Sequence, residues 1–311
     1  MQFATAESLI PSGRPVIKRT EIGGRFLDAW LSNDNVGHED APPFALTRAR
    51  EGLWGQATVA CGASPDELCA AARNIYAALF ALLDRKPDFH LVRVWNYVPD
   101  LNGGTPGCGA LAERYHHFNQ GRFEAYRRRF GEDRTAWIVP AASVLGTADG
   151  KLTLEFFAAS SAPVFLENPA QTPAPGYSRK YGPAPPLFAR GVVFNACEQH
   201  VLISSGTAAI KGEESLHLSN VEAQFETALD NLRLLVGVDN LTRYRLGYGF
   251  DFGDLKLLRI YHRRDADRDA LEKLARAAVP SAVKLAFFRA DICRAELLVE
   301  IEGIFSHGEP A

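Results

Sequence analysis

The chain has 311 residues, of which 47% are hydrophobic and 23% are charged, a balance typical of a globular protein with one large or two medium domains. Its 34 Lys and Arg against 37 Asp and Glu give a formal net charge of −3, which offers no general attraction for nucleic acid or an anionic membrane. The first residues lack the basic and apolar regions of a signal peptide, and no apolar run approaches a membrane span of about 18 residues, so we expect a cytoplasmic protein.

Cysteine spacing and cofactor motifs narrow the chemistry further. The five cysteines are odd in number and form no C-x-x-C pair, which argues against a disulfide framework and a zinc site. His116 and His117 are adjacent, so on a helix they point in different directions and make a poor metal site. The sequence also lacks a dinucleotide-binding G-x-G-x-x-G, a Walker A loop and a G-x-S-x-G elbow. Neither a metal nor an organic cofactor is therefore predicted.

The first half alternates between strands and helices. Ser64 is the predicted N-cap of a helix, because Pro65 suits the first turn and Glu67 completes a capping box. The apolar residues that follow keep to one helical face, which should cover a sheet. In chain order the predicted elements are strand 55–61, the helix from Ser64, strand 90–97, loop 101–107, a helix at about 109–130, and strands 136–145 and 152–157 paired around a turn at 148–150.

Residues 168–190 have the most unusual composition in the chain. Six prolines between 169 and 186 prevent regular secondary structure. The stretch also carries Tyr177, Tyr181, Phe188 and three cations, which a simple linker does not require. An interdomain linker and a rigid binding loop are both compatible with this composition.

The second half repeats the order of elements found in the first. Predicted are strands 192–195 and 200–204, a small-residue turn at 205–207, a helix from the N-cap Asn220 to 236, strand 255–261, helix 267–278, and strands 281–288 and 294–304. This repetition predicts an α+β protein with two related domains, residues 1–150 and residues 151–311, the second including the loop 168–190.

The stretch 289–303 brings a thiol close to two carboxyl groups. Within it Leu297, Val299 and Ile301 should point one way, and Glu296, Leu298, Glu300 and Glu302 the other. Cys293 precedes Glu300 by seven residues. From spacing alone two interpretations stay open: solvated charges on an edge strand with a small buried thiol, or a thiol and a carboxylic acid that share a site.

Several segments resemble a known family. Residues 200–208, 220–232, 258–261 and 298–302 resemble the RidA/YjgF family, in which a sheet packs on two helices and a pocket forms at a trimer-like interface. Other segments are similar to one branch, the chorismatases, which act on chorismate: 93–102, 113–115 with Phe118 and 121–122, 181–183 with 188–190, and 291–294. The resemblance spans roughly residues 20–305. It implies two RidA/YjgF-like domains, each a mixed β-sheet packed against two helices, the second carrying most of the site.

The resemblance also implies roles for three residues. Glu300 matches the glutamate proposed to protonate the enolpyruvyl methylene of chorismate. The hydrolytic branch, which releases pyruvate and a dihydrodiol acid, has alanine at the position of Gly206, whereas the 3-hydroxybenzoate branch has glycine there and a cysteine matching Cys293. This chain has both, so we expect an enzyme that converts chorismate to 3-hydroxybenzoate and pyruvate. A branch that yields a mixture of 3- and 4-hydroxybenzoate, and a dihydrodiol product, stay open as alternatives.

Physical chemistry sets conditions on these roles. A carboxylic acid protonates carbon near neutral pH only if desolvation raises its pKa from about 4.3 toward 6 or 7, so Glu300 should lie in a largely closed pocket. Gly206 should leave room for the substrate ring or its hydroxyl. Cys293 is expected to steer the opening of an arene-oxide-like intermediate as an acid, a base or a transient nucleophile.

Candidate substrate-binding residues follow from the two carboxylates of chorismate, which bidentate arginines hold well. The candidates are Arg190, at the end of the Pro-rich loop, and Arg259, on strand 255–261; a surface salt bridge is the competing interpretation of each. Tyr177 and Tyr181 are expected to donate hydroxyls to a carboxylate, and Phe188 to wall the ring.

Two other classes of function stay open. A RidA-type imine or enamine deaminase would need neither the loop 177–190 nor the first domain, and a non-catalytic ligand-binding protein would need no acid. The expected partner is the small molecule chorismate rather than nucleic acid or a membrane, and fusion of two domains favours a monomer. Arg93, Trp95, Asn96 and Tyr97 are expected to hold the first domain together, with a position facing the interdomain cleft as the alternative, and Glu302 is expected to be a structural charge.

Overall fold

Two mixed β-sheets and five α-helices account for most of the chain that the structure describes. This computed structural model describes residues 37–49, 51–103, 113–131 and 138–308. The strands are β1 (Gly37–Ala41), β2 (Phe44–Arg48), β3 (Gly52–Ala60), β4 (His90–Pro99), β5 (Ala141–Thr147), β6 (Lys151–Ala159), β7 (Val164–Leu166), β8 (Gly191–Ala196), β9 (Gln199–Ser204), β10 (Thr207–Ala208), β11 (Ile210–Lys211), β12 (Glu214–Ser215), β13 (Leu255–His262), β14 (Lys284–Arg289) and β15 (Val299–Gly308). The helices are α1 (Pro65–Asp84), α2 (Arg114–Phe130), α3 (Val221–Val236), α4 (Val238–Thr242) and α5 (Arg268–Ala278).

Two of the helices begin at the predicted caps. The Ser64 hydroxyl accepts a hydrogen bond from the backbone N–H of Glu67 (3.3 Å), and the Glu67 carboxylate accepts one from the backbone N–H of Ser64 (3.0 Å), which confirms the capping box of α1. Asn220 caps α3 by accepting from the N–H of Ala223 (3.0 Å). These contacts satisfy backbone donors that have no partner inside the helix.

The first sheet has the strand order β1-β2-β3-β6-β4-β5. The predicted pairing of β5 with β6 is wrong, because β4 lies between them, parallel to β5 and antiparallel to β6. Residues 92–99 of β4 are buried, so this strand needs a partner on each edge and takes a central place. Since β6 belongs to this sheet, the first half extends to Ala159, and the predicted boundary after residue 150 is corrected accordingly.

The second sheet follows the path β14-β13-β15-β9-β8-β7, and the short β10 also pairs with β15. Strand β15 thus has neighbours on both sides, and the edge-strand interpretation of its glutamates is wrong. Its predicted alternation is confirmed for Val299 and Ile301, which pack toward the helices, and for Glu302, which faces the first sheet. The strand begins at Val299, five residues later than predicted, because residues 291–297 form a separate anchored segment.

Apolar side chains form three cores. One lies between the first sheet and the helices α1 and α2. A second joins the two sheets, with Trp95 and Tyr97 of β4 in the same cluster as Ile203 and Tyr261. The third lies between the second sheet and the helices α3 and α5. Each mixed sheet therefore packs against two helices, which confirms the predicted α+β class. None of the described helices is long and apolar enough to cross a membrane.

Candidate active site

A cleft of about 620 Å³, its open mouth included, lies where the two sheets and the Pro-rich loop meet. Seven of the eight predicted site residues line it: Tyr177, Tyr181, Phe188, Arg190, Gly206, Cys293 and Glu300. Among the described residues, no group of three or more His, Cys, Asp or Glu side chains is placed to hold a metal ion.

Glu300 is a buried carboxyl group of this cleft. It lies on β15, opposite Ala208 of β10 and Tyr261 of β13, and its Oε1 atom has no hydrogen-bond partner in the described part of the chain. Burial raises the pKa of Glu300 to about 8; the Glu302 carboxylate adds to this shift and Arg93 opposes it. At neutral pH such a group stays protonated and is able to donate its proton.

Gly206 forms the surface on which the Glu300 carboxyl group rests. A Cβ atom built at this glycine would overlap Oε1 and Cδ of Glu300 and would lie 3.0 Å from the Ser143 hydroxyl. The space that glycine leaves is therefore filled by the carboxyl group. The structure shows that glycine leaves room for the acid, and room for the substrate ring stays a prediction.

Arg259 does not line the cleft but belongs to a buried charge network beside it. Its guanidinium donates to Glu302 at 3.2 Å, and Arg93 donates to the same carboxylate at 2.7 Å. Three further donors to Glu302 are Ser143, Trp95 and Tyr261. Burial alone would raise the pKa of Glu302, but Arg93 and Arg259 outweigh it and the pKa is lowered. Arg259 is directed to Glu302 because the two residues are paired across β13 and β15.

This network bears on two expectations. Arg93 and Trp95 bind Glu302 of the second half, which favours the expected alternative that they face the interdomain cleft. Glu302 is a structural charge as expected, but it is buried between the sheets rather than solvated.

The segment 291–297 is fixed by the guanidinium group of Arg263. Arg263 donates to the Asp291 carboxylate at 2.5 Å and to the Arg294 carbonyl at 3.0 Å. It also donates to the Asn102 side chain of the first half at 3.0 Å. This anchoring holds the segment against both halves of the chain, so the side chains that it contributes to the cleft have defined positions.

Cys293 is the thiol that this segment contributes. Its side chain packs against two of the three cores. Burial, with a further contribution from Glu300, raises the pKa of Cys293 to about 12. The group is therefore a neutral thiol at neutral pH, a state that favours donation of a hydrogen bond over the predicted roles of base or nucleophilic thiolate.

Three arginines in the cleft carry buried N–H groups without a partner among the described residues. These groups are Nε and Nη1 of Arg122, Nε of Arg190 and Nη2 of Arg294. The carboxylate of Glu167 stands 3.9 Å from Nε of Arg190, beyond hydrogen-bond distance. Buried donors of this kind are costly when unpaired, and an anion that enters the cleft can satisfy them.

Aromatic rings of the Pro-rich loop form one wall of the cleft. Arg190 donates to the Tyr177 hydroxyl at 2.7 Å, and its guanidinium lies 5.0 Å from the centre of the Phe188 ring. Arg294 stacks on Tyr181 at 3.8 Å. The loop is thus a wall of the cleft rather than a linker alone, and its aromatic rings hold two of the three arginines in place.

The wall is fastened to the hairpin β11–β12 by exposed polar contacts. Lys180 forms an ion pair with Glu214 at 2.7 Å, with both side chains more than half exposed. The backbone N–H of Ser178 donates to Glu213 at 2.8 Å. Exposed ion pairs contribute only about 0–1 kcal/mol, so this part of the wall is held weakly.

Comparisons with known proteins give the family. The family model "Chorismatase FkbO/Hyg5-like, N-terminal" matches residues 28–158. A chorismatase from Streptomyces rapamycinicus is 33% identical over 282 residues, which cover 90% of this chain and 82% of that protein. The chain belongs to the chorismatase family. The family model ends one residue before Ala159, the last residue of the first sheet in this chorismatase.

Two further relatives and one solved structure agree with this assignment. A chorismatase from Streptomyces hygroscopicus is 37% identical over 280 residues, covering 90% of this chain and 79% of that protein. A 3-hydroxybenzoate synthase from the same species is 29% identical over 288 residues, covering 90% of this chain and 81% of that protein. A crystal structure of a chorismatase superposes with a TM-score of 0.79 at 33% identity, covering 87% of this chain and 79% of that chain.

Four polar residues of the chorismatase cleft were not predicted as site residues. They are Tyr115, Arg122, Ser143 and Arg294. Three of them stand in the segments that carry the resemblance, and Arg294 directly follows Cys293, so a stricter use of those segments would have found them. Ser143 had no comparable signal, because only the pairing of β5 with β4 places its hydroxyl beside the cleft.

Proposed function

We propose that this chorismatase converts chorismate to 3-hydroxybenzoate and pyruvate, two products whose atoms sum to those of the substrate. The observation that carries the proposal is one cleft that holds the buried carboxyl group of Glu300 together with three arginines whose buried donors have no hydrogen-bond partner in the described part of the chain. Relatives named chorismatase and 3-hydroxybenzoate synthase support the substrate and the product.

The arginines bind the substrate. Chorismate carries one carboxylate on its ring and one on its enolpyruvyl group. Arg122, Arg190 and Arg294 supply for them four buried donors that have no hydrogen-bond partner among the described residues. Tyr177 and Tyr181 add hydroxyl groups from the loop wall. Binding thus removes the cost of the unpaired guanidinium donors and fixes the ring relative to the acid.

Glu300 begins the reaction by transferring its proton to the terminal methylene carbon of the enolpyruvyl group. The carbon that bears the ether oxygen becomes an oxocarbenium ion, which weakens the bond from that oxygen to the ring. The enclosed position keeps the acid protonated before the transfer, and the carboxylate formed lies next to the developing positive charge.

The neighbouring ring hydroxyl completes the cleavage. Its oxygen attacks the ring carbon that carries the ether, and the bonding electrons leave with the ether oxygen, which becomes the keto oxygen of pyruvate. The hydroxyl proton returns to the Glu300 carboxylate. The resulting arene oxide opens and aromatises when a ring proton leaves and the oxygen takes up a proton, and no water is consumed.

Gly206 and Cys293 direct the product in this proposal. Gly206 lets the acid lie low in the cleft, leaving the space above it to the substrate. Cys293, a neutral thiol, donates a hydrogen bond to the oxygen of the arene oxide as it opens. This role replaces the general base and the nucleophile among the three predicted for the thiol.

Product analysis tests the proposal. Purified protein is incubated with chorismate, and the acids are separated by chromatography while pyruvate is measured in parallel. We expect equal amounts of 3-hydroxybenzoate and pyruvate. A dihydrodiol acid, or a mixture with 4-hydroxybenzoate, would assign the chain to another chorismatase branch. Intact chorismate would instead favour an imine or enamine deaminase or a binding protein.

The pH profile should report the titration of Glu300. Because the acid form is the active one and its pKa is about 8, the rate of pyruvate release is expected to stay level from about pH 6 to pH 7.5. Above pH 8 it should fall by about tenfold per pH unit. Initial rates at saturating chorismate measure this. A decline that begins near pH 5 would mean that Glu300 ionises like an exposed carboxyl group.

The substitution Gly206→Ala should displace the acid. The new methyl group would occupy the position of the Glu300 carboxyl group, so we expect pyruvate release to slow by about 10- to 100-fold and the dihydrodiol acid to appear among the products. Gly176→Ala is the matched control, because a Cβ atom there meets only Thr172 at 3.9 Å. An unchanged rate and product in Gly206→Ala would show that the Glu300 carboxyl group does not depend on the space at Gly206.

A further inference from the structure

The hydroxyl of Ser143 connects both sheets at the bottom of the cleft. It accepts hydrogen bonds from the backbone N–H of Gly206 at 2.9 Å and from Nη2 of Arg93 at 2.5 Å, and it donates to the carboxylate of Glu302. Ser143 lies on β5 in the first sheet, whereas Gly206 and Glu302 belong to the second half. One hydroxyl group thus uses its donor and both of its acceptor positions.

The position of the acid depends on Gly206 more than on hydrogen bonds. Oε1 of Glu300 has no hydrogen-bond partner among the described residues, and the carboxyl group is packed directly on Gly206. The backbone of the 205–206 turn therefore sets the height of the carboxyl group in the cleft.

That turn is held by the first sheet and by the end of the Pro-rich loop. The Ser205 hydroxyl accepts from the N–H of Ala142 at 2.8 Å and donates to the carbonyl of Ala189 at 2.5 Å. The N–H of Ser205 donates to the carbonyl of Arg190 at 2.8 Å. These bonds fix the backbone and side chain of Ser205. The hydroxyl of Ser143 accepts the hydrogen bond from the backbone N–H of the following residue, Gly206.

We propose that Ser143 is a positioning residue for the catalytic acid. It holds Gly206 in the position on which the Glu300 carboxyl group rests. A residue of the first half thus positions an acid that belongs to the second half. The kinetic consequence rests on the proposed chorismatase reaction. Through Ser143 the first half takes a direct part in the chemistry, in addition to lining the cleft.

Loss of this hydroxyl should affect Gly206 more than the charge network. Without it, Glu302 keeps four other donors, and Arg93 keeps its ion pair with Glu302. The N–H of Gly206 loses the acceptor that the structure gives it, and an N–H that is partly buried and has no partner is costly. The turn is therefore expected to shift, and the carboxyl group with it.

Kinetics of Ser143→Ala give the first test. We expect kcat for pyruvate release to fall by about tenfold or more, with KM for chorismate changed by less than about threefold, because substrate binding is intact but the acid is misplaced. Ser143→Thr restores the hydroxyl and should recover kcat to within about threefold. Thr153→Ala, which removes a buried hydroxyl from the first sheet outside the cleft, should leave both constants unchanged.

Two kinetic outcomes would overturn the inference. An increase in KM with unchanged kcat would make Ser143 a contact of the substrate rather than a positioning residue. A kcat within twofold of the unsubstituted protein would show that Gly206 keeps its place without the hydroxyl.

Crystal structures of Ser143→Ala and of the unsubstituted protein give a test that needs no turnover. We expect Gly206 and the Glu300 carboxyl group to differ in position by about 0.5 Å or more. Unchanged positions would overturn the inference whether or not chorismate is consumed. If the unsubstituted protein leaves chorismate intact, the proposed function fails, and the two structures still decide whether Ser143 positions the carboxyl group.

Discussion

Replacing Glu300 by glutamine is expected to stop the release of pyruvate from chorismate. Glutamine has nearly the same shape and fits the space above Gly206, but its amide has no proton of suitable acidity for the methylene carbon. General acids contribute about 10²- to 10⁴-fold to rates, so pyruvate should fall below about 1% of the unsubstituted rate. Pyruvate measured over time at saturating chorismate gives the result.

Cys293→Ala is the informative comparison, since it changes a second group in the same cleft. A neutral thiol acts after the ether is cleaved in our proposal, so this variant should still release pyruvate while the accompanying aromatic or diene acid changes. Chromatography of the acids distinguishes the two variants. Equal and complete losses in both would contradict the division of roles, and normal pyruvate release by Glu300→Gln would remove Glu300 as the acid.

The second large effect is expected in stability, for Glu302→Gln. This change leaves Arg93 and Arg259 buried without their carboxylate, and removal of one partner from a buried ion pair costs about 3–5 kcal/mol of unfolding free energy. Urea unfolding at pH 7 measures the loss. Glu296→Gln is the matched control, because this exposed acid nearby should change the unfolding free energy by less than about 0.5 kcal/mol.

The pH dependence of this difference follows from the lowered pKa of Glu302. Its stabilising contribution is fully present above the ordinary glutamate pKa of 4.5 and is lost as the pH falls through the lowered folded-state value. The gap between Glu302→Gln and the unsubstituted protein should thus shrink as the pH falls below about 4.5. A loss of less than about 1 kcal/mol at pH 7 would contradict the importance of the network.

Local signals in the sequence predicted local structure well. The capping box at Ser64 and the cap at Asn220 depend on a few adjacent residues, so their outcome was settled within the segment. The order of the strands was harder to predict from the sequence. The position of β4 between β5 and β6 depends on β4 being buried on both of its faces, which a comparison of all the strands is needed to see. The turn at 148–150 signalled a reversal of the chain but not its pairing partner.

The candidate site shows the same division. Resemblance placed Glu300, Cys293 and Gly206 in one cleft, since those residue types stand in short matching segments. It did not place Arg259, whose alternation along β13 is compatible with either the cleft or Glu302; only the register with β15 decides. The support that Ser143 gives to Gly206 joins residues from two different sheets, and no periodicity within one strand reveals such a contact.

Two walls of the cleft differ in how firmly they are held: the wall formed by β15 inside the second sheet, and the wall formed by the Pro-rich loop. Hydrogen-bonded neighbours on both edges of this strand fix the backbone of Glu300, so that only its side chain is left to adjust to a substrate. The opposite wall, at residues 174–182, contains two single-turn 3₁₀ helices, and its contacts with the hairpin β11–β12 are exposed ones for which water and salt compete. We therefore expect substrate and products to enter and leave past the aromatic wall rather than past β15.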